Sequence, residues 1–182
     1  GLFNFVRYIE HLQKYEVDYG EVNLSGAGEG SVEIMTIHKS KGLEFPIVIL
    51  AGMGKQFNMQ DLNARLLIHP DYGLGADAIL PDRRMIVSTL YKQVIRRKLL
   101  EETLGEEIRV LYVALTRAKE KLIMTGTIGN LEKRLLSLYR FRENEQELLP
   151  AETRLNGKTY WDYVLPALAR HRCMDELFEE FG

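Results

Sequence analysis

Residues 31–52 read SVEIMTIHKSKGLEFPIVILAG, and their pattern decides the fold class. Val32, Ile34 and Thr36 alternate with Glu33, Met35 and Ile37, the period of a half-buried strand. From Pro46 to Ala51 the residues are unbrokenly apolar, as expected of a second strand covered on both faces. Between them lies HKSKGLE, which sets an imidazole, two ammonium groups, a glycine and a carboxylate on a short connection. Polarity is ordinary for a loop. Loops held between rigid elements, however, are where binding groups concentrate.

Working outward, the totals bound what such a chain is for. At 182 residues it is one domain or a domain with appendages, long enough for a real core. Apolar residues make up 46% and charged residues 27%, a soluble globular composition. A net charge of −2 argues against a uniformly basic nucleic-acid binder and leaves room for a local basic groove. Cys173 is the only cysteine, so no internal disulfide forms and a reducing, cytoplasmic compartment is expected. No apolar run is long enough to span a bilayer, and the start lacks the order of a signal peptide, so no membrane partner is expected. His11, His38, His69 and His171 are far apart in sequence, and no metal site is expected. Gly1 leads straight into an amphipathic pattern, which suggests a piece of a longer chain.

In chain order, Phe5, Ile9 and Leu12 form one stripe of a helix over Leu2–Tyr15. Tyr19–Gly30 reads as a linker; its GAGEG precedes a strand, whereas a phosphate cradle needs a strand before it and a helix after it. Gly54-Lys55 resembles a P-loop fragment but lacks the leading glycine and the following Ser or Thr. Next come a short strand at Leu66–Ile68, the HPDYG turn and a loop closed by Pro81. Arg65, Arg83 and Arg84 are phosphate-contact candidates that read more simply as solvated surface. Ser88 is the expected N-cap of a long helix running to about Glu120, kinked at Gly105. Lys92, Arg96, Arg97 and Lys98 read as its wet side. Ile108, Leu111, Tyr112 and Leu115, with Val110, Val113 and Ala114, predict burial nearly all round over Glu106–Ala118. A strand is expected at Lys121–Thr127, a helix at Leu131–Phe141, a polar connector over 142–158 and a last helix over Tyr160–Phe181, with Tyr163, Leu168 and Leu177 among its apolar positions.

Arg117, at the end of the long helical pattern, has two readings. A cation near a helix C-terminus is favoured by the macrodipole, by about 0.3–1 kcal/mol. A guanidinium is also the group best suited to reach a nucleotide phosphate, being always charged and a planar fork of donors. In the first loop, Gly42 lets a backbone N–H approach a phosphate. Glu44 can accept a hydrogen bond from a ribose hydroxyl, and Thr36, His38 and Lys39 suit a nucleic-acid backbone. Each taken alone also has an ordinary structural reading.

Together, MTIHKSKGLEF and, downstream, EEIRVLYVALTRAKEKL resemble motifs V and VI of the superfamily 1 helicases of the UvrD/PcrA/RecB type. Within that group the chain is most similar to the AddA helicase–nuclease family of AddAB (RexAB) complexes. KQFNMQDLNARLLIHPDYGLG resembles that family's insertion, AETRLNGKTYWDYVLPALARH its stretch between motor and nuclease, and GLFNFVRYIEHLQ the end of its helical subdomain. The resemblance implies an α/β fold, part of a RecA-like second motor domain (P-loop NTPase type) with a parallel sheet and flanking helices. It implies three segments: the end of a helical subdomain and linker over 1–30, the helicase domain over 31–130 with its insertion at 52–105, and a connector towards a nuclease domain over 131–182.

It also implies roles. Arg117 would be the arginine finger on the γ-phosphate of ATP, whose Mg2+ and main binding groups belong to the first RecA-like domain of the same polypeptide. Gly42 and Glu44 would complete that nucleotide site, Thr36 and His38, with Lys39, would touch single-stranded DNA, and Arg109 would pair with a nearby acid. The implied partners are single- and double-stranded DNA and an AddB-like subunit. With no GxxxxGK[ST], no acidic pair closing an apolar strand and no nuclease cluster, the chain alone is expected to be inactive. Two rivals stay open: a UvrD/PcrA-like repair helicase without nuclease, and a non-catalytic nucleic-acid- or protein-binding module.

Overall fold

The structure, a computed structural model, describes Val6, residues 31–142 and residues 148–181. It divides into two compact units, Gly1–Met35 and Thr36–Gly182. In the first, Val6 is helical and exposed; the rest of the helix expected over Leu2–Tyr15 and the linker over Tyr19–Gly30 lie outside the described residues.

The second unit is mixed α/β, and a single long helix supports two separate sheets. Strand β1, Phe45–Leu50, pairs in parallel with β5, Ala118–Met124, with a register shift between Phe45 and Ile47. Between them in sequence, β2 (Leu66–His69), β3 (Gly73–Leu80) and β4 (Met85–Ser88) form an antiparallel meander. Helix α1, Leu90–Leu115, then leads back to the parallel pair. At about 1.5 Å per residue its 26 residues reach about 39 Å, enough to serve both sheets.

The first half of α1 packs on the meander. Ile95 is wholly buried there, and a Cβ on Gly75 of β3 would stand 2.8 Å from the Lys92 Cα, so only glycine allows this approach of strand to helix. The second half faces the parallel pair. Leu111 and Ala114 join Leu50, Met53, Tyr163 and Val164 in one core cluster, with Ile37 packed against it. Helices α2 (Leu131–Leu138), α3 (Ala151–Leu155), α4 (Trp161–Leu168) and α5 (Asp175–Phe181) follow. A second cluster, Leu135, Leu138, Phe141, Leu165, Ala169, Met174 and Phe178, welds this end together. Among the described residues no helix is long and apolar enough to cross a membrane.

Several expectations are corrected. Residues 31–36 form no strand; Val32 and Ile34 are almost fully exposed, because a period-two pattern needs a neighbouring strand and none pairs with it among the described residues. The expected strand Pro46–Ala51 exists as β1, but Ile47 and Ile49 are exposed rather than covered on both faces. The loop expected before Pro81 is β3, and the strand expected at Lys121–Thr127 begins earlier, at Ala118. Thr89, not Ser88, caps α1: its Oγ1 accepts from the Lys92 N–H at 3.2 Å, while Ser88 ends β4. The helix runs continuously through Gly105 and ends at Leu115 rather than near Glu120, because β5 begins at Ala118. Glu106–Ala118 is not buried all round, since Ile108 and Tyr112 are exposed and only one stripe faces the core. The polar connector contains α3. The last helix is two, parted by a turn in which the His171 Nδ1 accepts from the Cys173 N–H at 3.1 Å.

Candidate functional site

The loop ahead of β1 is one tight helical turn. The Thr36 Oγ1 accepts from the Lys39 N–H at 3.2 Å, and the Ser40 N–H donates to the Thr36 and Ile37 carbonyls, each at 3.2 Å. The Ser40 hydroxyl, buried, donates to the Ile37 carbonyl at 2.7 Å. Ile37 anchors this turn to the core from below. The turn ends where short helices end, on a glycine in the left-handed region: Gly42 has φ +84°, which a side chain would strain although nothing crowds the position. These residues fold locally because a hydroxyl cap, a buried serine and a terminal glycine each satisfy or release backbone groups.

Arg117 stands just past the C-terminal end of α1. Its Nε donates to the Val113 carbonyl, Nη1 to the Leu43 carbonyl and Nη2 to the Thr116 hydroxyl oxygen, each at 2.9 Å. The helix-capping reading is therefore real. It is also incomplete, because all three acceptors are neutral and a guanidinium carries five N–H donors. Among the described residues no carboxylate pairs with it. The outcome is a cation fixed in orientation by its own helix and by the loop across from it, with donors to spare. Half-burial and three bonds remove most of its rotamer freedom before any ligand arrives.

The same bonds join the two loops. The Phe45 N–H donates to the Arg117 carbonyl at 2.9 Å, starting the parallel ladder. Glu44, one residue earlier, pairs with the Lys119 Nζ at 3.2 Å, both side chains being more than half exposed. Arg117, the Leu43–Glu44 backbone, Lys119 and the glycine turn thus form one polar rim at the edge of β1 and β5. Sequence reasoning missed Lys119. It lies two residues beyond Arg117, on β5, and only its pairing with Glu44 brings it to the rim.

The remaining candidates are less tightly gathered. Thr36 and Lys39 lie on the turn and are exposed. His38 lines a shallow depression with Glu106, Glu107, Val110 and Tyr160. The Tyr160 hydroxyl donates to the Glu107 carboxylate at 2.7 Å; burial, then this bond and the carboxylate charge, raise its pKa well beyond the usual tyrosine range. Arg109 pairs with Glu106 on the exposed face of α1, as a structural role requires. Lys92, by contrast, is not on a wet face: it is buried and its Nζ donates to Asp77 at 2.7 Å. Among the described residues no three His, Cys, Asp or Glu side chains gather as metal ligands.

Residues 3–128 match the UvrD-like helicase C-terminal domain family. The chain is similar to a Clostridium beijerinckii protein whose name describes a subunit of an ATP-dependent helicase/nuclease, 48% identical over 182 residues, which is 100% of this chain and 15% of that protein. Proteins with the same name in Bacillus cytotoxicus and Clostridium kluyveri are 48% and 46% identical over 179 and 173 residues, covering 98% and 95% of this chain. The chain spans only 14–15% of the length of these relatives.

Proposed function

This chain belongs to the UvrD-like helicase C-terminal domain family, and from that premise we propose that it is the part of an AddA-type ATP-dependent helicase–nuclease that supplies the arginine finger. The observation that carries the reading is Arg117: a guanidinium held by three neutral acceptors, beside Glu44, with no carboxylate among the described residues to neutralise it. When bound, ATP supplies the phosphoanhydride whose hydrolysis drives the motor. The donors Arg117 leaves unused would meet charge developing on the γ-phosphate, and because the guanidinium is already oriented, little reorganisation accompanies the step. Glu44 would accept from a ribose hydroxyl, and the backbone at Gly42 would come close to the nucleotide. Mg2+ and the main phosphate cradle would come from the first RecA-like domain of the same polypeptide.

On the DNA side, Thr36, His38 and Lys39 would hold a single strand by its backbone, which fixes register without reading sequence. The whole polypeptide, with an AddB-like partner, would unwind double-stranded DNA and process broken ends for recombinational repair. The relatives' name, with its "nuclease" and "subunit", supports this over a helicase that lacks a nuclease.

The test is Arg117→Ala and Arg117→Lys in the full-length polypeptide. A finger is worth roughly 10³–10⁵ in phosphoryl-transfer rate, so DNA-stimulated ATP hydrolysis should fall by at least about 10³ with nucleotide affinity changing far less. Near-normal hydrolysis by Arg117→Ala would refute the assignment.

A further inference from the structure

A groove of about 1030 Å³, lined by none of the polar-rim residues, is walled by the segment after β1, by β3 and β4, by the first half of α1 and by the turn after α3. Lys92, Arg96, Arg97 and Lys158 line it against a single carboxylate, Asp77, on a chain whose overall charge is −2. Asp77 is consumed by Lys92. Among the described residues Arg96 is held only by neutral acceptors, its Nε donating to the Leu62 carbonyl at 3.1 Å and Nη2 to the Asn63 Oδ1 at 3.2 Å, so its full charge remains. Arg97 sits on the rim, paired with Glu101 at 3.1 Å in an exposed pair that costs little to open. The Lys158 ammonium has no ion pair among the described residues, while its backbone N–H is tied to Asp162 at 2.8 Å, which fixes where the side chain starts. Local positive charge on a net-acidic chain is therefore built, not incidental.

The walls add a second kind of group. Gln56, Asn63, Gln93 and Asn156 are side-chain amides, each able both to donate and to accept. Phe57 contributes an aromatic ring held at 5.1 Å from Tyr160 and 6.2 Å from Tyr163, so it is fixed in place. Cations alone would suit an acidic protein segment. Cations with amides and a rigid aromatic ring suit a strand that carries phosphates, sugar oxygens and unpaired base edges together. A duplex would keep those edges hidden from the walls.

We propose that this groove is a second binding site for a single nucleic-acid strand, separate from the turn at 36–39 and independent of any role for Arg117. A strand held there would be gripped at two places on one compact unit.

Photo-cross-linking tests this in the full-length polypeptide, using an oligothymidylate that carries 5-iodouracil, with fluorescence anisotropy at two salt concentrations. Cross-links are expected in the peptides around Phe57 and Lys158. Arg97→Gln combined with Lys158→Gln, both exposed and so compatible with folding, should lower those cross-links at least about fivefold and reduce the salt slope by about two, one per lost phosphate contact. Thr36→Ala should leave the groove cross-links in place. Cross-links confined to residues 36–39, or groove cross-links indifferent to the double variant, would overturn the proposal while leaving the motor reading intact. Displacement of the oligonucleotide by a polyglutamate peptide at equal charge concentration would also overturn it, in favour of an acidic protein partner.

Discussion

Along α1, the half from Leu90 to Leu104 carries the antiparallel meander and the half from Gly105 to Leu115 carries the parallel pair. Both regions are rich in charge, and they spend it differently. On the meander side Arg96 and Arg97 stay exposed at the groove, but two pairs turn inward: Lys92 bonds Asp77, and the buried His69 bonds Glu102 at 3.2 Å while its Nδ1 accepts from the Asp71 and Tyr72 N–H groups at 3.1 and 3.3 Å. On the ladder side they sit at the rim, with Glu44, Lys119, His38 and Lys39 exposed above apolar strands. A satisfied buried pair locks the meander onto its helix. A fixed but exposed one is available to a ligand. The lesson is that residue type does not separate scaffold from site here; the depth of the charge does.

The sharpest way to break that contrast is Asp77→Ala. It leaves the buried Lys92 ammonium without its carboxylate, and removing one member of a buried pair costs about 3–5 kcal/mol. Urea denaturation should show a loss of that size. A loss below about 1 kcal/mol would mean that Lys92 escapes into the adjoining groove, and the inward use of charge on the meander side would no longer hold.

How much of this was legible follows from the same distinction. The apolar run after Phe45, the polar turn with its glycine and the long helix were visible because local pattern and tertiary environment agree. Of the meander only β2 and the turn after it were visible. GLGADAIL reads as loop because glycine and aspartate disfavour strands, yet Gly75 is there for the close approach to Lys92 and Asp77 for its pairing, both long-range facts. The alternation of Val32, Ile34 and Thr36 misled in the opposite sense, a strand pattern without a ladder. Of the candidate site, Gly42, Glu44 and Arg117 were the residues the pattern offered, but that Arg117 would be tethered by the Leu43 carbonyl was not legible, since a side chain's bond across a loop leaves no periodicity.

Asp162 asks whether the ladder side also keeps a partly buried charge, here beyond the C-terminal ends of β1 and β5. It begins α4, next to Tyr163 and Val164 of the core cluster. Burial works against its charge, but the Lys158 N–H at 2.8 Å, the Arg134 guanidinium and the Thr159 N–H and hydroxyl at 2.8 and 3.0 Å outweigh that, so its carboxyl titrates below the ordinary range. Its charge also helps burial push the neighbouring Tyr163 hydroxyl up to about 12. A depressed carboxyl pKa gives stability that is fully present above the unfolded value of 3.8 and is lost as pH falls through the lower folded value. Asp162→Asn should therefore cost about 1.5–3 kcal/mol at neutral pH and flatten the acid limb of the stability profile. An unchanged acid limb would show that this side holds no charge inward.

The smallest stability effect belongs to the rim itself, and it is the most discriminating. The Glu44–Lys119 pair, with side chains 61% and 58% exposed, is a surface ion pair of the sort worth a fraction of a kcal/mol. Glu44→Gln keeps the shape, removes the charge and should shift the denaturation midpoint by less than about 0.5 kcal/mol equivalent. If the rim serves a nucleotide, the same variant in the full-length polypeptide should reduce DNA-stimulated ATP hydrolysis by about tenfold or more, the scale of a lost hydrogen bond to a charged group. Asp77→Ala should do the reverse on an activity-per-folded-molecule basis: a large loss of stability and little loss of turnover. Crossing the two variants therefore separates a charge that holds the fold from a charge held ready by it, and a Glu44→Gln enzyme with unaltered turnover would return the rim to the status of solvated surface.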